Sequence, residues 1–443
     1  METTTSSSLT DTQRLLLKGL DSHPKLMDRF LSILSLAEEP DSSGTIRSAD
    51  EVEAILIEEV RKLGKESMES WASKVDSLVG KQSRKEDPSV QLREKKTLKW
   101  WSTFGLIAVN ESLWRSKSKS YLRVLPEVLK VSSRSCSLRL QRVLCDFGME
   151  DSFADSVQRL SEHYGFEISP STVAKITFKH AAKMGSHYGK KPHALPAQGK
   201  GQIVAEADGS FLRIVRFDTK NKSDKRKQRK VDYREVRLCA ASVHESSQVR
   251  YAATFEEVDQ VCHLWAHCAK AVGMGLSSKV HVVCDGAAWI RTQSKNAFGD
   301  QSTILIDFYH VCDYLSQVNQ SVKGLPRGWF QTQKKRLRQG RVRALLKDLE
   351  QRLEATDLSD EDAPVRRAHR YLKNRLDVLD YKQALESGLP IGSGLIESAH
   401  KHVLQSRMKL PGASWKIEHA EIMVRTRAFR ANKQWNEYWK KAA

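Results

Sequence analysis

The chain has 443 residues, of which 40% are hydrophobic and 29% are charged. This length predicts two or three domains, with enough apolar residues for a core in each. The 73 Lys and Arg against 54 Asp and Glu give a net charge of +19, which favours polyanionic partners because each neutralised phosphate releases condensed counterions. No stretch approaches the roughly 20 apolar residues of a membrane span, and the N-terminus lacks the apolar segment of a secretion signal. We therefore expect a cytoplasmic protein rather than a membrane protein.

Residues 1–95 are predicted to form a helical region. Leu and Ile recur at three- and four-residue spacing in TDTQRLLLKGL, PKLMDRFLSILSLAEE and ADEVEAILIEEVRKLGKESMESWASKV. This spacing is the amphipathic helix pattern. The polar stretch EEPDSSGTIRSAD between the second and third segments predicts a loop.

Residues 96–200 are predicted to form a small strand hairpin, three helices and a linker. The segments KTLKWWSTFGLIAVNESLWRS and SKSYLRVLPEVLKV are aromatic and β-branched, as in strands. Three short helices with glycine stops follow over residues 137–185, and SPST at 169–172 is typical of a helix N-terminus. The second and third helices match a DNA-binding helix-turn-helix with the third as recognition helix, and equally an ordinary three-helix bundle.

Strands and helices alternate over residues 201–310. Three early strands are predicted from IVAEADG with SFLRIVRF, from YREVRLCAASV and from QVRYAATF. A helix (EEVDQVCHLWAHCAKAVG), a strand (KVHVVCDG), a short helix (AAWIRTQSKNAF) and a last strand (TILIDFYH) follow. This order predicts an α/β fold and matches a ribonuclease H-like core, a mixed five-stranded sheet with flanking helices. Residues 311–390 predict a helical insertion, and residues 391–443 predict a helix with a basic helical tail.

Three acidic residues stand at the ends of predicted elements. Asp208 and Asp285 each close an apolar run before a glycine, and Glu397 begins a helix after IGSG. In the expected topology the first strand lies beside the fourth, so Asp208 and Asp285 come together although 77 residues separate them (285 minus 208). Glu397 would complete the set from a helix crossing that edge. Since Asp-Gly is also ordinary turn chemistry, the prediction depends on all three.

The three carboxylates are the ligands expected for a pair of Mg²⁺ or Mn²⁺ ions. Such ions prefer hard oxygen ligands, and two of them can together activate a nucleophile, stabilise the leaving oxygen and neutralise charge in phosphodiester cleavage. Asp208, Asp285 and Glu397 are therefore predicted to be catalytic and metal-binding residues. A basic chain with such a site is expected to act on nucleic acid.

Three further residues near these acids are candidates for accessory roles. Glu206 projects from the same strand face as Asp208 and is an accessory ligand, a solvated charge or a partner of a basic residue. Asp307 and His310 end the last strand in DFYH. They are predicted to contact phosphate or the leaving group, or to carry a proton. A structural role for His310, in capping or in satisfying a buried neighbour, explains the pattern too.

Basic residues cluster at 217–230, 323–352 and 401–443. The first cluster, FDTKNKSDKRKQRK, is interpreted as a flexible finger that grips phosphates, although solvated surfaces give the same pattern. Trp415 with Lys416 would stack on a displaced base or pack in the core. The candidate DNA-binding residues are Lys225, Arg226, Lys227, Arg229, Lys230, Lys334, Lys335, Arg336, Arg407 and Lys409.

Six motifs of the chain resemble those of DDE transposases from bacterial insertion sequences. The likeness is greatest to the ISKra-type family of the Mutator-like group, weaker to related UPF-type insertion-sequence proteins, and good over residues 200–435. The motifs are ADGS at 207–210, CDGAAWI at 284–290, DFYH at 307–310, IGSGLIES at 391–398, SRMKLPGASW at 406–415 and RTRAFR at 425–430.

The resemblance implies a metal-dependent recombinase that cuts DNA at element ends and transfers the strands to target DNA. Asp208, Asp285 and Glu397 match the family's catalytic triad, and Asp307 with His310 matches its accessory signature. The implied partners are double-stranded DNA, as terminal inverted repeats and as target, and further copies of the chain, because a dimer or larger oligomer must join two ends. Such a protein would act at the nucleoid in the cytoplasm. A structure-specific nuclease of the same fold, or a domesticated DNA-binding protein without catalysis, are the alternatives.

Overall fold

A computed structural model describes residues 10–42, 46–117, 122–185, 194–217 and 229–442. The chain divides into two compact units, Met1–Thr177 and Phe178–Ala443. Among the described helices, none combines the length and the apolar character needed to cross a bilayer. All seven cysteines lie in described segments, and each is a buried residue outside any disulfide.

The first unit combines helices with one two-stranded hairpin, and helix α7 (Pro170–Gly185) crosses into the second unit. The predicted N-terminal helices, the hairpin and the three short helices are all confirmed. The segment at 122–131 was predicted as a strand and contains a short helix instead, with Pro126 in its first turn. The elements are α1 (Asp11–Asp21), α2 (Pro24–Ser42), α3 (Ala49–Glu86), β1 (Gln91–Ser102), β2 (Gly105–Arg115), α4 (Leu125–Val128), α5 (Leu138–Glu150) and α6 (Phe153–Tyr164).

Side-chain caps fix several helix ends in the first unit. Thr10 with Gln13 and Ser48 with Glu51 form capping boxes at the starts of α1 and α3, which satisfy amide groups that have no partner within the helix. Helix α6 ends at Gly165, whose φ of +73° lies in the left-handed region that glycine tolerates best. These local signals explain why the helix boundaries follow the sequence.

The second unit contains a five-stranded mixed sheet, as predicted. Its strands are β3 (Gln202–Phe217), β4 (Arg229–Val243), β5 (Val249–Thr254), β6 (Lys279–Cys284) and β7 (Ser302–Ile306). The order across the sheet is β5-β4-β3-β6-β7. Strands β3, β4 and β5 pair antiparallel, whereas β6 is parallel to both β3 and β7. The first strand of this sheet therefore lies beside the fourth, as expected from the element order.

Helices precede, separate and follow the later strands of the second unit. Helix α15 packs against β3 and β4 and continues through the π-helical turn His400–Gln405 into α16. The segment between β7 and α15 consists of helices joined by turns, as its sequence pattern predicted. The helices are α8 (Gln260–Ala271), α9 (Ala288–Phe298), α10 (Phe308–Ser321), α11 (Trp329–Arg338), α12 (Val342–Glu350), α13 (Pro364–Lys373), α14 (Tyr381–Glu386), α15 (Gly394–Ala399), α16 (Ser406–Met408), α17 (Ile417–Ala431) and α18 (Trp435–Ala442).

Two strand boundaries differ from the prediction. Strand β3 does not end at Asp208; it runs on through Gly209 because β4 pairs with it along its whole length, with Asp208 opposite Leu238. Strand β7 ends earlier than predicted, at Ile306, because the Asp307 side chain caps helix α10 and accepts a hydrogen bond from the amide of His310.

Candidate functional site

The strand register brings Asp208 and Asp285 to the same level of the sheet. Strands β3 and β6 pair in parallel with a constant offset of 77 residues (283 minus 206), and the last pair is Glu206 with Val283. Asp285 follows the end of β6, and the same offset, carried two residues beyond the last pair, sets it level with Asp208. Neighbouring strands lie about 4.8 Å apart, so this register predicts that the two aspartates are side by side where β6 ends.

A third aspartate stands in the same row. Strands β6 and β7 pair in parallel with an offset of 22 residues (306 minus 284), which places Asp307 level with Asp285. The amide of Asp307 donates to the carbonyl of Cys284 at 2.7 Å, so the pairing continues to this position. Side chains two residues apart on a strand share a face. Glu206 and Asp208 therefore share one face of the sheet, and by register Asp285 and Asp307 share it too.

Glu206 joins the sheet to the helix that carries Glu397. Its side chain is 1% exposed, and its carboxyl group accepts a hydrogen bond from the amide of Ile396 at 2.8 Å. Burial raises the pKa of Glu206 to about 8, against the effect of hydrogen bonds from the Ile396 and Leu395 amides, and the nearby Asp307 and Glu397 carboxylates raise it further. Glu206 therefore caps α15 as a neutral acid near pH 7 and holds Glu397 over β3.

Asp208 has a partner that the sequence analysis missed. Its Oδ2 lies 2.8 Å from Nε2 of His400, and its Oδ1 accepts a hydrogen bond from the amide of Gly209 at 2.7 Å. His400 stands three residues after Glu397, so both side chains project from neighbouring positions of one helical face. This spacing was the only signal in the sequence for His400. The His400 side chain orients the carboxylate of Asp208.

The helical insertion supports the loop that carries Asp285. Oδ1 of Asp285 accepts a hydrogen bond from the amide of Ala287 at 2.9 Å, and the Asp285 carbonyl accepts one from the Tyr371 hydroxyl at 2.5 Å. The guanidinium of Arg375 donates to the carbonyl of Gly286 at 3.0 Å. Helix α13 and the residues after it thus fix the backbone at Asp285, which gives the insertion a role at the site.

Asp307 makes structural hydrogen bonds with both carboxylate oxygens. Oδ1 accepts from the amide of His310 at 2.8 Å, and Oδ2 accepts from the amide and the hydroxyl of Ser393, each at 2.6 Å. The His310 ring packs against Tyr314 and Tyr371, with centroids 5.6 and 5.8 Å away. Asp307 is the capping residue here, and it ties the segment before α15 to the end of β7.

The donor set suits a hard divalent cation. Asp208 and Asp285 supply two level carboxylates, and Glu397 is exposed on α15 beside Ile396, which bonds to Glu206. These oxygen donors match the preference of Mg²⁺ and Mn²⁺. Within the described ranges, no group of three or more His, Cys, Asp and Glu side chains is close enough to hold a metal ion. The three acids thus suit the predicted cation in type, whereas the described side chains are not placed as a closed ligand group, and His400 is bonded to Asp208.

The candidate DNA-binding residues differ in accessibility. Lys409 is exposed and its Nζ lies 2.7 Å from the hydroxyl of Ser210, two residues after Asp208. Lys335 is exposed on α11, whereas Arg336 donates to Gln333 at 3.1 Å. Lys334 lies over the ring of Phe330, and Arg229 and Lys230 are exposed at the start of β4. Lys225, Arg226 and Lys227 lie outside the described residues.

Arg407, predicted as a phosphate-binding residue, lies in the interior, where a DNA phosphate has little access to it. Its side chain is 3% exposed, and the guanidinium stacks over the Trp415 ring at 4.8 Å. Trp415 is buried too: its indole N–H donates to the Met408 carbonyl at 3.0 Å, and its carbonyl accepts from the Val215 amide at 2.7 Å. Trp415 therefore packs in the core, the second of its two predicted roles, and fastens the segment after α16 to β3.

Comparison with known proteins gives a family but no characterised relative. No curated protein matches the chain. One family model, described as an uncharacterised protein family, matches residues 45–441. Its match covers the hairpin, the sheet and every residue of the site described above. The chain therefore belongs to the uncharacterised protein family UPF0236.

Proposed function

We propose that this protein is a DDE-type transposase with a ribonuclease H-like core, which cuts DNA at the ends of an element and joins the freed 3′ ends to target DNA. The observation that carries the proposal is the parallel register of β3 and β6, which sets Asp285, just after β6, level with Asp208 of β3, with Glu397 on a helix that Glu206 fastens to β3. The motif resemblance to ISKra-type transposases supports the same reaction class.

Asp208, Asp285 and Glu397 would hold two Mg²⁺ or Mn²⁺ ions, which when bound activate the attacking hydroxyl and neutralise charge on the phosphate. His400 fixes the orientation of the Asp208 carboxylate through its 2.8 Å contact. Tyr371 and Arg375 keep the Asp285 loop in place. Lys409, beside Ser210, is positioned to contact a phosphate of the bound strand.

The proposed substrate is double-stranded DNA in the cytoplasm. The net charge of +19 favours binding to phosphates, and the exposed Arg229, Lys230 and Lys409 lie on β4 or just after α16. Joining two element ends requires two active sites in one complex. We therefore propose that the chain acts as a dimer or larger oligomer on its terminal inverted repeats.

The proposal is tested by cleavage of a plasmid that carries the gene with its flanking DNA, in Mg²⁺. We expect Asp208→Ala and Asp285→Ala to lower the cleavage rate by about 10³-fold or more, because removing groups that stabilise transition-state charge has effects of this size. Asp300→Ala changes an exposed aspartate before β7 and is the matched control, with a rate equal to that of the wild type.

Binding and strand transfer complete the test. The Asp208 and Asp285 variants should still bind the flanking DNA within about twofold of the wild type, since phosphate contacts rather than these acids supply the affinity. Pre-nicked ends should be joined to a target plasmid by the wild type alone. Cleavage by Asp285→Ala at the wild-type rate would refute the catalytic assignment, and cleavage without joining would identify a nuclease instead.

A further inference from the structure

Strands β3 and β4 extend beyond the rest of the sheet as a two-stranded ribbon with an unusual outer face. The partner strand β6 pairs with β3 only as far as Glu206, and β5 pairs with β4 only from Arg237 onward. Beyond these points the two strands pair mainly with each other, from Gly209 opposite Arg237 to Phe217 opposite Arg229. One face of the ribbon is covered at Leu212 and Ile214, which are buried, and Val215 is buried on the other face.

The other face exposes three aromatic rings. Phe211 and Tyr233 are each 62% exposed and Phe217 is 49% exposed. The register places Arg213 directly opposite Tyr233, with Phe211 diagonal to it, so that the rings and the guanidinium share one surface. Large apolar side chains grouped in this way on a surface mark an interaction site. We name Phe211, Arg213, Phe217, Arg229 and Tyr233 the ribbon face.

The positive charge of the ribbon face indicates which kind of partner it binds. Arg213 and Arg229 are exposed on it, and the ammonium group of Lys416 lies 5.8 Å from the Phe217 ring. The one acidic residue that the register places on this face, Glu235, is paired with Arg237 at 2.7 Å. A cationic surface with interleaved aromatic rings is the arrangement that binds single strands, because bases stack on the rings while the cations contact phosphates.

We propose that the ribbon face binds an unpaired DNA strand through base stacking on Phe211 and Tyr233. This inference rests on the proposed function for its partner and adds the substrate class, a single strand on the face of β3 opposite to that of Asp208. Phe211 lies three residues beyond Asp208, about 10 Å along the strand, and this odd spacing places the two side chains on opposite faces. Trp289, four residues after Asp285, has the guanidinium of Arg237 at 5.9 Å from its ring, so aromatic and cationic groups continue from the ribbon toward the Asp285 loop.

The inference is tested with an oligo-dT 15-mer and with a blunt duplex of the same length, by fluorescence anisotropy in EDTA. Phe211→Ala and Tyr233→Ala should each weaken oligo-dT binding by about fivefold or more, the usual effect of losing one stacked base, and should leave duplex binding within about twofold. Phe211→Tyr and Tyr233→Phe keep the ring and should retain wild-type affinity. Leu276→Ala changes an equally exposed apolar residue and is the control.

Photo-crosslinking of an oligonucleotide with 5-iodo-deoxyuridine locates the contact directly. Crosslinks should map by mass spectrometry to peptides containing Phe211 or Tyr233, and Asp208→Ala should not change them. Equal loss of duplex and oligo-dT affinity, or crosslinks only elsewhere, would overturn the inference. So would an altered oligomeric state of Phe211→Ala with unchanged oligo-dT affinity, since the face would then bind protein. Failure of the proposed cleavage with normal crosslinks would leave this inference standing.

Discussion

The buried Glu206 makes a measurable prediction about stability and pH. Its pKa is raised from 4.5 to about 8, mainly by burial. Between these values the folded chain binds more protons at this carboxyl than the unfolded chain does, so its contribution to stability falls as the pH rises. The difference of 3.5 units, at 1.36 kcal/mol per unit, makes the full effect about 5 kcal/mol.

Glu206→Gln removes the titration and keeps an oxygen that accepts the Ile396 amide. The variant should match the wild type to within about 1 kcal/mol at pH 5, because this pH is only half a unit above the unfolded pKa of 4.5 and little of the effect has developed. At pH 8 it should be more stable by about 4 kcal/mol, because only the wild type bears the cost of a buried ionisable group. The assay is urea unfolding in EDTA over pH 5–8, followed by tryptophan fluorescence.

A matched control separates this effect from general pH dependence. Glu386→Gln changes an exposed glutamate at the end of α14. Its free energy of unfolding should differ from that of the wild type by the same amount at every pH from 5 to 8. If the difference in unfolding free energy between Glu206→Gln and the wild type also stays constant between pH 5 and 8, the raised pKa of Glu206 is refuted. With Mg²⁺ in place of EDTA the difference at pH 8 should shrink, because a nearby cation favours the ionised carboxylate.

Two further substitutions test contacts that the sequence did not indicate. His400→Ala should lower the rate of Mg²⁺-dependent cleavage by about 10- to 100-fold, the usual effect of removing a group that orients a metal ligand. His400→Gln keeps a donor toward Asp208 and should recover part of the rate. Equal rates for the wild type and both variants would refute this role of His400. In the first unit, the buried Asp76 accepts hydrogen bonds from the Ser112 amide at 2.9 Å and hydroxyl at 2.7 Å. Asp76→Ala should lower the free energy of unfolding, measured by urea denaturation, by about 2–3 kcal/mol. The control Asp50→Ala changes an exposed aspartate and should alter this free energy by less than about 1 kcal/mol. An equal loss of stability in both variants would contradict the role of Asp76.

The element order was predictable because each segment has a strong period of its own. The apolar runs before Asp208 and Asp285 are strands, and the amphipathic segments between them are helices, as the spacing indicated. The position of Asp208 was harder to predict. Asp-Gly favours a turn in isolation, but β4 pairs with β3 through these residues and keeps the strand extended. Tertiary pairing thus overrode a local turn signal.

Side-chain environments were less predictable than elements. Arg407 was predicted to bind DNA phosphate, yet its guanidinium stacks on Trp415 in the interior. The bond between His400 and Asp208 joins residues 192 positions apart, and a contact of that kind follows from the folded register rather than from any local pattern. The same holds for Glu206, whose carboxyl bonds to an amide 190 positions away.

The alignment of Asp208, Asp285 and Asp307 in one row across the sheet also explains why the proposed site takes a carboxylate from outside the sheet. Asp307 occupies the third position of the row, but both of its oxygens hold Ser393 and His310 in place. Loss of these bonds would release the segment that begins α15 and would therefore displace Glu397. In the proposed site the third carboxylate is that of Glu397, and Asp307 serves it by fixing the helix that carries it.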